Sequence, residues 1–284
     1  MRWQLGSAAL VIFLISNASA AVLRPDVIYG SDDRRDYYEA DANWKLKADA
    51  TVALIRASSL EQQGATTLIK TQPYGKTMLL CPTEPYFDQE LAAVCSGFLV
   101  TPDTIVTAGH CIPSQKECDA MNFIFGFRLE AAGDQPRSVP TDHVFRCQQL
   151  VYSVITPAGE DFAVAKVDRP VTFATPLTLR RHGSAGAGEN IRVIGHPGGL
   201  PVKVAGGAAV RSVNGDFLVA SLDTYGGNSG SPVFNETTGE VEGILVRGEE
   251  DFIFQNGCRV SKRCDVAACR GEEVSLIERV LNHL

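Results

Sequence analysis

Three short stretches of the chain carry side chains capable of acyl-transfer chemistry. DTYGGNSGSPVF, residues 223–234, crowds glycines around Ser229 and closes with Pro232. TIVTAGHCI breaks an apolar run at Ala-Gly and then sets His110 beside Cys111. DFAVAKV opens on Asp161 at the mouth of an apolar run. A serine hydroxyl is a poor nucleophile until a neighbouring base removes its proton, and that base needs a third group to orient it. Among the five histidines, His110 is well placed to be held rigidly, at a strand end whose loop is pinned by a cysteine. An aspartate opening a strand can be drawn partly into the core while pointing at that histidine. Each stretch alone has a plainer explanation, since turn chemistry accounts for Gly-Gly-Asn-Ser. Together and in this order they have the makings of a nucleophile, a base and an orienting carboxylate.

The elements that must position these groups read mostly as strands. GFLV (97–100), TIVTA (104–108), NFIFGF (122–127), FAVAKV (162–167), IRVIG (191–195), FLVAS (217–221) and EGILV (242–246) are short β-branched or aromatic runs separated by turn residues. Many short strands at this spacing predict an all-β barrel or sandwich. In EEVSLIERVLNHL, Val274, Ile277, Val280, Leu281 and Leu284 fall at helical spacing, which predicts a C-terminal helix. The segment 168–188 is rich in Pro, Thr, Gly and charge and reads as a connection.

Composition bounds the rest. The 284 residues are 45% hydrophobic and 21% charged, enough for a substantial core. A net charge of −7 argues against a nucleic-acid or anionic-membrane partner. Arg2, the apolar run from Ala8 to Ile15 and Ala18-Ser19-Ala20 together predict a signal peptide over residues 1–20, cut after Ala20. The run is too short to span a bilayer, and no later segment is long and apolar enough. The chain is thus expected to be exported, extracellular or periplasmic, and its eight cysteines predict up to four disulfides. No C-x2-C pair occurs, so neither a zinc site nor any other metal or cofactor is expected.

The joint occurrence of TAGHC, an Asp-led strand and GNSGSP in the order His–Asp–Ser resembles the chymotrypsin-like serine proteases. VIYGSDDR near the start and GGNSGSPVFN look like the bacterial glutamyl-endopeptidase branch. The resemblance implies two six-stranded antiparallel β-barrels with a C-terminal helix. Residues 51–167 would form the first barrel with His110 and Asp161, and 168–188 would cross to the second. Residues 189–284 would carry Ser229, and 21–50 would be an arm or propeptide with a possible second cut between Arg24 and Ile28. The backbone N–H groups of Gly227 and Ser229 would form the oxyanion hole. A Cys95–Cys111 disulfide would lie beneath the histidine, with the other six cysteines unassigned. The implied partners are protein or peptide substrates of a monomeric endopeptidase.

Two positions depart from the family. Asn228 stands where many animal members have an aspartate that pairs with a freshly cut N-terminus. Leu245 stands where glutamyl endopeptidases use a histidine to neutralise the substrate carboxylate, although Thr224 matches their threonine. Asp223 falls at the base of the specificity pocket, so cleavage after Arg or Lys is the expectation, with cleavage after Glu as the alternative. Arg247, on the strand after the nucleophile loop, is a candidate to neutralise Asp223. A catalytically silent homologue acting as a binding module and a non-proteolytic esterase are the competing functions.

Overall fold

The computed structural model describes residues 27–265 and 269–284. The expected signal peptide and its cut after Ala20 lie outside these residues, as does most of the Arg24–Ile28 window expected for a second cut. Strands β1 (Thr51–Arg56), β2 (Cys95–Thr101), β3 (Thr104–Thr107), β4 (Met121–Ile124), β5 (Val144–Ile155) and β6 (Asp161–Val167) close into an antiparallel barrel in the order β1-β2-β3-β6-β5-β4. Strands β7 (Asn190–Gly195), β8 (Lys203–Asn214), β9 (Phe217–Ala220), β10 (Pro232–Asn235), β11 (Val241–Arg247) and β12 (Glu272–Leu276) close a second in the order β7-β8-β9-β12-β11-β10. The two barrels share one strand order, a repeat of topology with no trace in the sequence.

Closure removes the unpaired edges that a short-stranded sheet would otherwise leave open. One apolar cluster runs through both barrels, from Leu54, Phe98, Phe123 and Val164 to Ile194, Phe234 and Ile244. A second, with Val193, Val210, Leu218, Val233 and Val274, fills the rest of the second barrel.

The expected C-terminal helix is not formed. Residues 272–276 are strand β12, paired with β9 through Leu218↔Val274 and with β11 through Gly243↔Leu276. Without it, β9 and β11 would each present an open edge, so barrel closure outweighs the helical spacing of the apolar residues. What remains of that spacing is two 3₁₀ turns, Ile277–Arg279 and Leu281–His283, which bury Ile277 and Val280 in the shared core.

The connection at 168–188 contains no strand and is tacked down by backbone bonds from Val171 N to Pro102 O (2.6 Å) and from Leu177 N to Leu99 O (2.9 Å). The N-terminal arm lies on the second barrel. Ile28–Tyr29 pairs with Arg263–Cys264, and Arg34–Asp36 adds a strand to the edge of β8. The short helix Ala42–Ala48 follows, its N-terminus capped by the Asp41 carboxylate, which accepts from Asn43 N and Trp44 N. Four disulfides join Cys81–Cys258, Cys95–Cys111, Cys118–Cys147 and Cys264–Cys269. No helix among the described residues is long and apolar enough to cross a membrane.

Candidate active site

β3 ends in a 3₁₀ turn, Gly109–Cys111, that carries His110. Asp161 is the first residue of β6 and is buried, with 3% of its surface exposed. Its two oxygens serve the same residue: Oδ1 accepts from the His110 backbone N–H at 3.0 Å, and Oδ2 lies 2.9 Å from His110 Nδ1. A carboxylate only accepts, so Nδ1 carries the proton and Nε2 is left as a base. Asp161 is itself held from behind. Its backbone N–H donates to Ser275 Oγ at 3.1 Å, and that hydroxyl donates to Gly159 O at 2.8 Å. Ser275 lies on β12, so the second barrel holds the backbone of Asp161 in the first. The sequence reading, which placed Ser275 in a helix, had no means of finding this.

Ser229 sits between two glycines of positive φ, Gly227 at 93° and Gly230 at 90°. Both are sterically required. A Cβ on Gly230 would lie 2.1 Å from Ser96 O and 2.3 Å from Thr107 Oγ1, and one on Gly227 would lie 2.8 Å from Gly199 N. The Ser229 loop is therefore wedged against the ends of β2 and β3, the strands that lead to His110. Ser96 N donates to Ser229 O at 2.8 Å, and Ser96 Oγ donates to Gly227 O at 3.2 Å while accepting from His196 N at 2.9 Å. The Cys95–Cys111 bridge joins the neighbour of Ser96 to the neighbour of His110. Cys95, His110 and Cys111 bring potential ligand atoms within 4.8 Å of one another, but the two sulfurs are bonded to each other and offer no thiolate to an ion.

Gly226 is fixed through both of its backbone groups. Gly226 N–H donates to the Asp251 carboxylate at 3.1 Å, and Gly226 C=O accepts from Gly198 N at 2.6 Å. A trans peptide directs its N–H away from its C=O, so the Gly227 N–H faces away from Gly198. Among the described residues, neither that N–H nor the Ser229 N–H has an acceptor. Two fixed, unused donors beside a serine hydroxyl are what a developing oxyanion needs. Asn228 is buried, and its Oδ1 accepts from Ser231 Oγ at 2.8 Å, so side-chain bonding within the loop fixes this residue. Ser96, Asp251 and Ser275 are thus supports that sequence reasoning missed, since nothing local distinguishes them from other polar residues.

Asp223 is placed otherwise than expected. It is buried, and both of its oxygens are taken by the N-terminal arm: Oδ1 accepts from Tyr29 N at 2.7 Å and Oδ2 from Asp33 N at 2.8 Å. The expectation of an open carboxylate at the base of a substrate pocket is corrected, because the two backbone donors already occupy it. Thr224 Oγ1 donates to Glu272 Oε2 at 3.2 Å, and Tyr29 OH donates to Glu272 Oε1 at the same distance. Leu245 is 1% exposed and belongs to the second barrel's core. Arg247, at the end of β11, pairs with Glu273 at 3.5 Å.

Burial pushes the Asp223 carboxyl up to about 7, against the opposing pull of its two backbone donors. A carboxyl raised on folding contributes stability that is full below its ordinary value near 3.8 and is lost as pH rises through about 7. In Asp223→Asn one backbone donor faces an amide NH2, which costs about 1–3 kcal/mol. Calorimetry from acid to neutral pH should therefore find wild type more stable than the variant in acid, with the margin shrinking towards neutrality. A margin that widens with pH would mean that the carboxylate is ionised throughout.

A two-barrel fold with a paired His and Asp set against a glycine-flanked serine defines the chymotrypsin-like class. A family model described as the trypsin-like peptidase domain matches residues 95–244, and the chain belongs to that family. Glutamyl endopeptidases of Staphylococcus aureus strains MW2 and N315 are each 39% identical over 71 residues, which is 24% of this chain. The matched stretch spans only about a fifth of those relatives' length. The solved structure of a Glu endopeptidase in complex with MPD superposes with a TM-score of 0.52 over 88% of this chain and 93% of its own, at 16% identity, a likeness of fold.

Proposed function

We propose that this protein is an exported serine endopeptidase that cleaves protein or peptide substrates through an acyl-enzyme. Ser229 Oγ attacks the scissile carbonyl while His110 Nε2 takes its proton and later delivers it to the leaving amine. Asp161 holds the imidazole in the required tautomer and stabilises its charged form. The N–H groups of Gly227 and Ser229 receive the oxyanion. The observation that carries this reading is the double contact between Asp161 and His110, set beside a serine whose flanking N–H donors are unused. Ser229 Oγ makes no hydrogen bond among the described residues, and the proton transfer to Nε2 requires that a hydrogen bond between them form when substrate binds. Four disulfides favour an oxidising, extracellular or periplasmic location.

The preference for Arg or Lys rested on a free Asp223, and the engagement of that carboxylate by the arm turns the balance. Cleavage after an acidic residue, the activity named for the glutamyl endopeptidases, is the reading we favour. Labelling the purified protein with a fluorophosphonate and assaying casein hydrolysis tests the function. A silent binding module would not label, and an esterase would label without cleaving casein. Either result would sink the proposal.

A further inference from the structure

Arg247 ends β11, the strand bonded directly to the nucleophile loop through Gly230 N to Leu245 O (2.7 Å) and Leu245 N to Ser231 O (3.0 Å). Its guanidinium is unevenly used. Nη1 lies 3.5 Å from a Glu273 carboxylate that Arg270 also approaches, at 3.4 Å. The opposite edge, Nε and Nη2, is buried and has no hydrogen-bond partner among the described residues. That edge holds the parallel pair of N–H groups that grips a carboxylate with two bonds at once. Leaving charged donors buried and unpaired is unfavourable, so a carboxylate reaching them from outside would gain both bonds and relieve that cost.

Neighbouring acidic groups do not meet this demand. Asp223 is held by the arm, and Glu272, fully buried, accepts from Tyr29 and Thr224. Glu249 is engaged with Lys262 and with the backbone N–H of Arg270. Arg247 and Arg270 thus share a single carboxylate, Glu273. Just over a quarter of the Arg247 side chain is exposed (28%), so the residue lies partly at the surface.

We propose that Arg247 is the specificity residue of this protease, receiving on its Nε/Nη2 edge the carboxylate of an acidic side chain that precedes the scissile bond. This rests on the endopeptidase reading above. The test uses two peptides blocked at both ends and identical except for Glu or Gln before the cut, so that the only carboxylate varied is the side chain. In wild type, kcat/KM for the Glu peptide should exceed that for the Gln peptide by about a hundredfold. In Arg247→Gln that ratio should collapse to within about threefold of unity, the neutral amide having lost the charge-assisted pair. Glu273→Gln, which removes the competing internal carboxylate, should instead raise the ratio, a gain that misfolding cannot produce.

A ratio unchanged in Arg247→Gln, no rise in Glu273→Gln, or no preference for Glu in wild type would overturn the assignment. Fluorophosphonate labelling of each enzyme separates the role of Arg247 from the endopeptidase activity. Labelled wild type that cleaves without preferring Glu overturns Arg247 and the acidic preference but leaves the endopeptidase reading standing. Wild type that neither labels nor cleaves overturns the endopeptidase reading and the proposal with it.

Discussion

Ser229→Ala should abolish casein hydrolysis, with turnover falling by ~10⁴–10⁶, while the thermal midpoint stays within about 2 °C of wild type. The separation of the two effects follows from where the hydroxyl sits. Ser229 is anchored by its backbone, through the bond from Ser96 N to Ser229 O, and its Oγ makes no hydrogen bond among the described residues. Removing that oxygen leaves the glycine-flanked loop, the Ser96 contacts and the Cys95–Cys111 bridge in place. The same variant should fail to label with fluorophosphonate, because the reagent bonds to the missing oxygen. Casein turnover within tenfold of wild type would remove Ser229 from the mechanism.

Asp161→Asn should lower turnover by ~10⁴ with little change in shape. The wild-type carboxylate accepts twice from His110, from the backbone N–H and from Nδ1. An asparagine can keep only one of these bonds as an acceptor. If its oxygen stays on the backbone N–H, its NH2 group faces Nδ1 and can only donate there. The imidazole must then present Nδ1 as an acceptor and place its proton on Nε2, where the base is needed. Fluorophosphonate labelling should slow along with casein turnover, because both reactions need Ser229 to lose a proton. A labelling rate within tenfold of wild type would mean that Asp161 merely pins the 3₁₀ turn through the His110 backbone and does not set the tautomer.

Much of this protein follows from local sequence. The seven apolar runs read as strands fall on β2, β3, β4, β6, β7, β9 and β11, although TIVTA and FLVAS each overrun by one residue and NFIFGF leaves its strand after Ile124, just before the positive φ of Gly126. The glycines flanking Ser229, the aspartate opening β6 and the histidine ending β3 are equally local signals. Each is a property of a few adjacent residues, with a backbone demand that one side chain can reveal.

What the sequence could not determine depends on pairings between distant segments. β12 is a strand because β9 and β11 each need a partner, and that need outweighs its own helical spacing. Once it is a strand, Ser275 comes to lie behind Asp161, a contact invisible in either segment alone. Asp223 stands where a substrate-binding carboxylate was expected, but the arm at Tyr29 and Asp33 reaches it first with two backbone donors. A carboxylate's role depends on which donors arrive at it, and the folded chain alone decides that. Arg247 shows the converse, since its sequence context marks only a charge after an apolar strand. Packing supplies the rest, by burying one edge of its guanidinium without a partner.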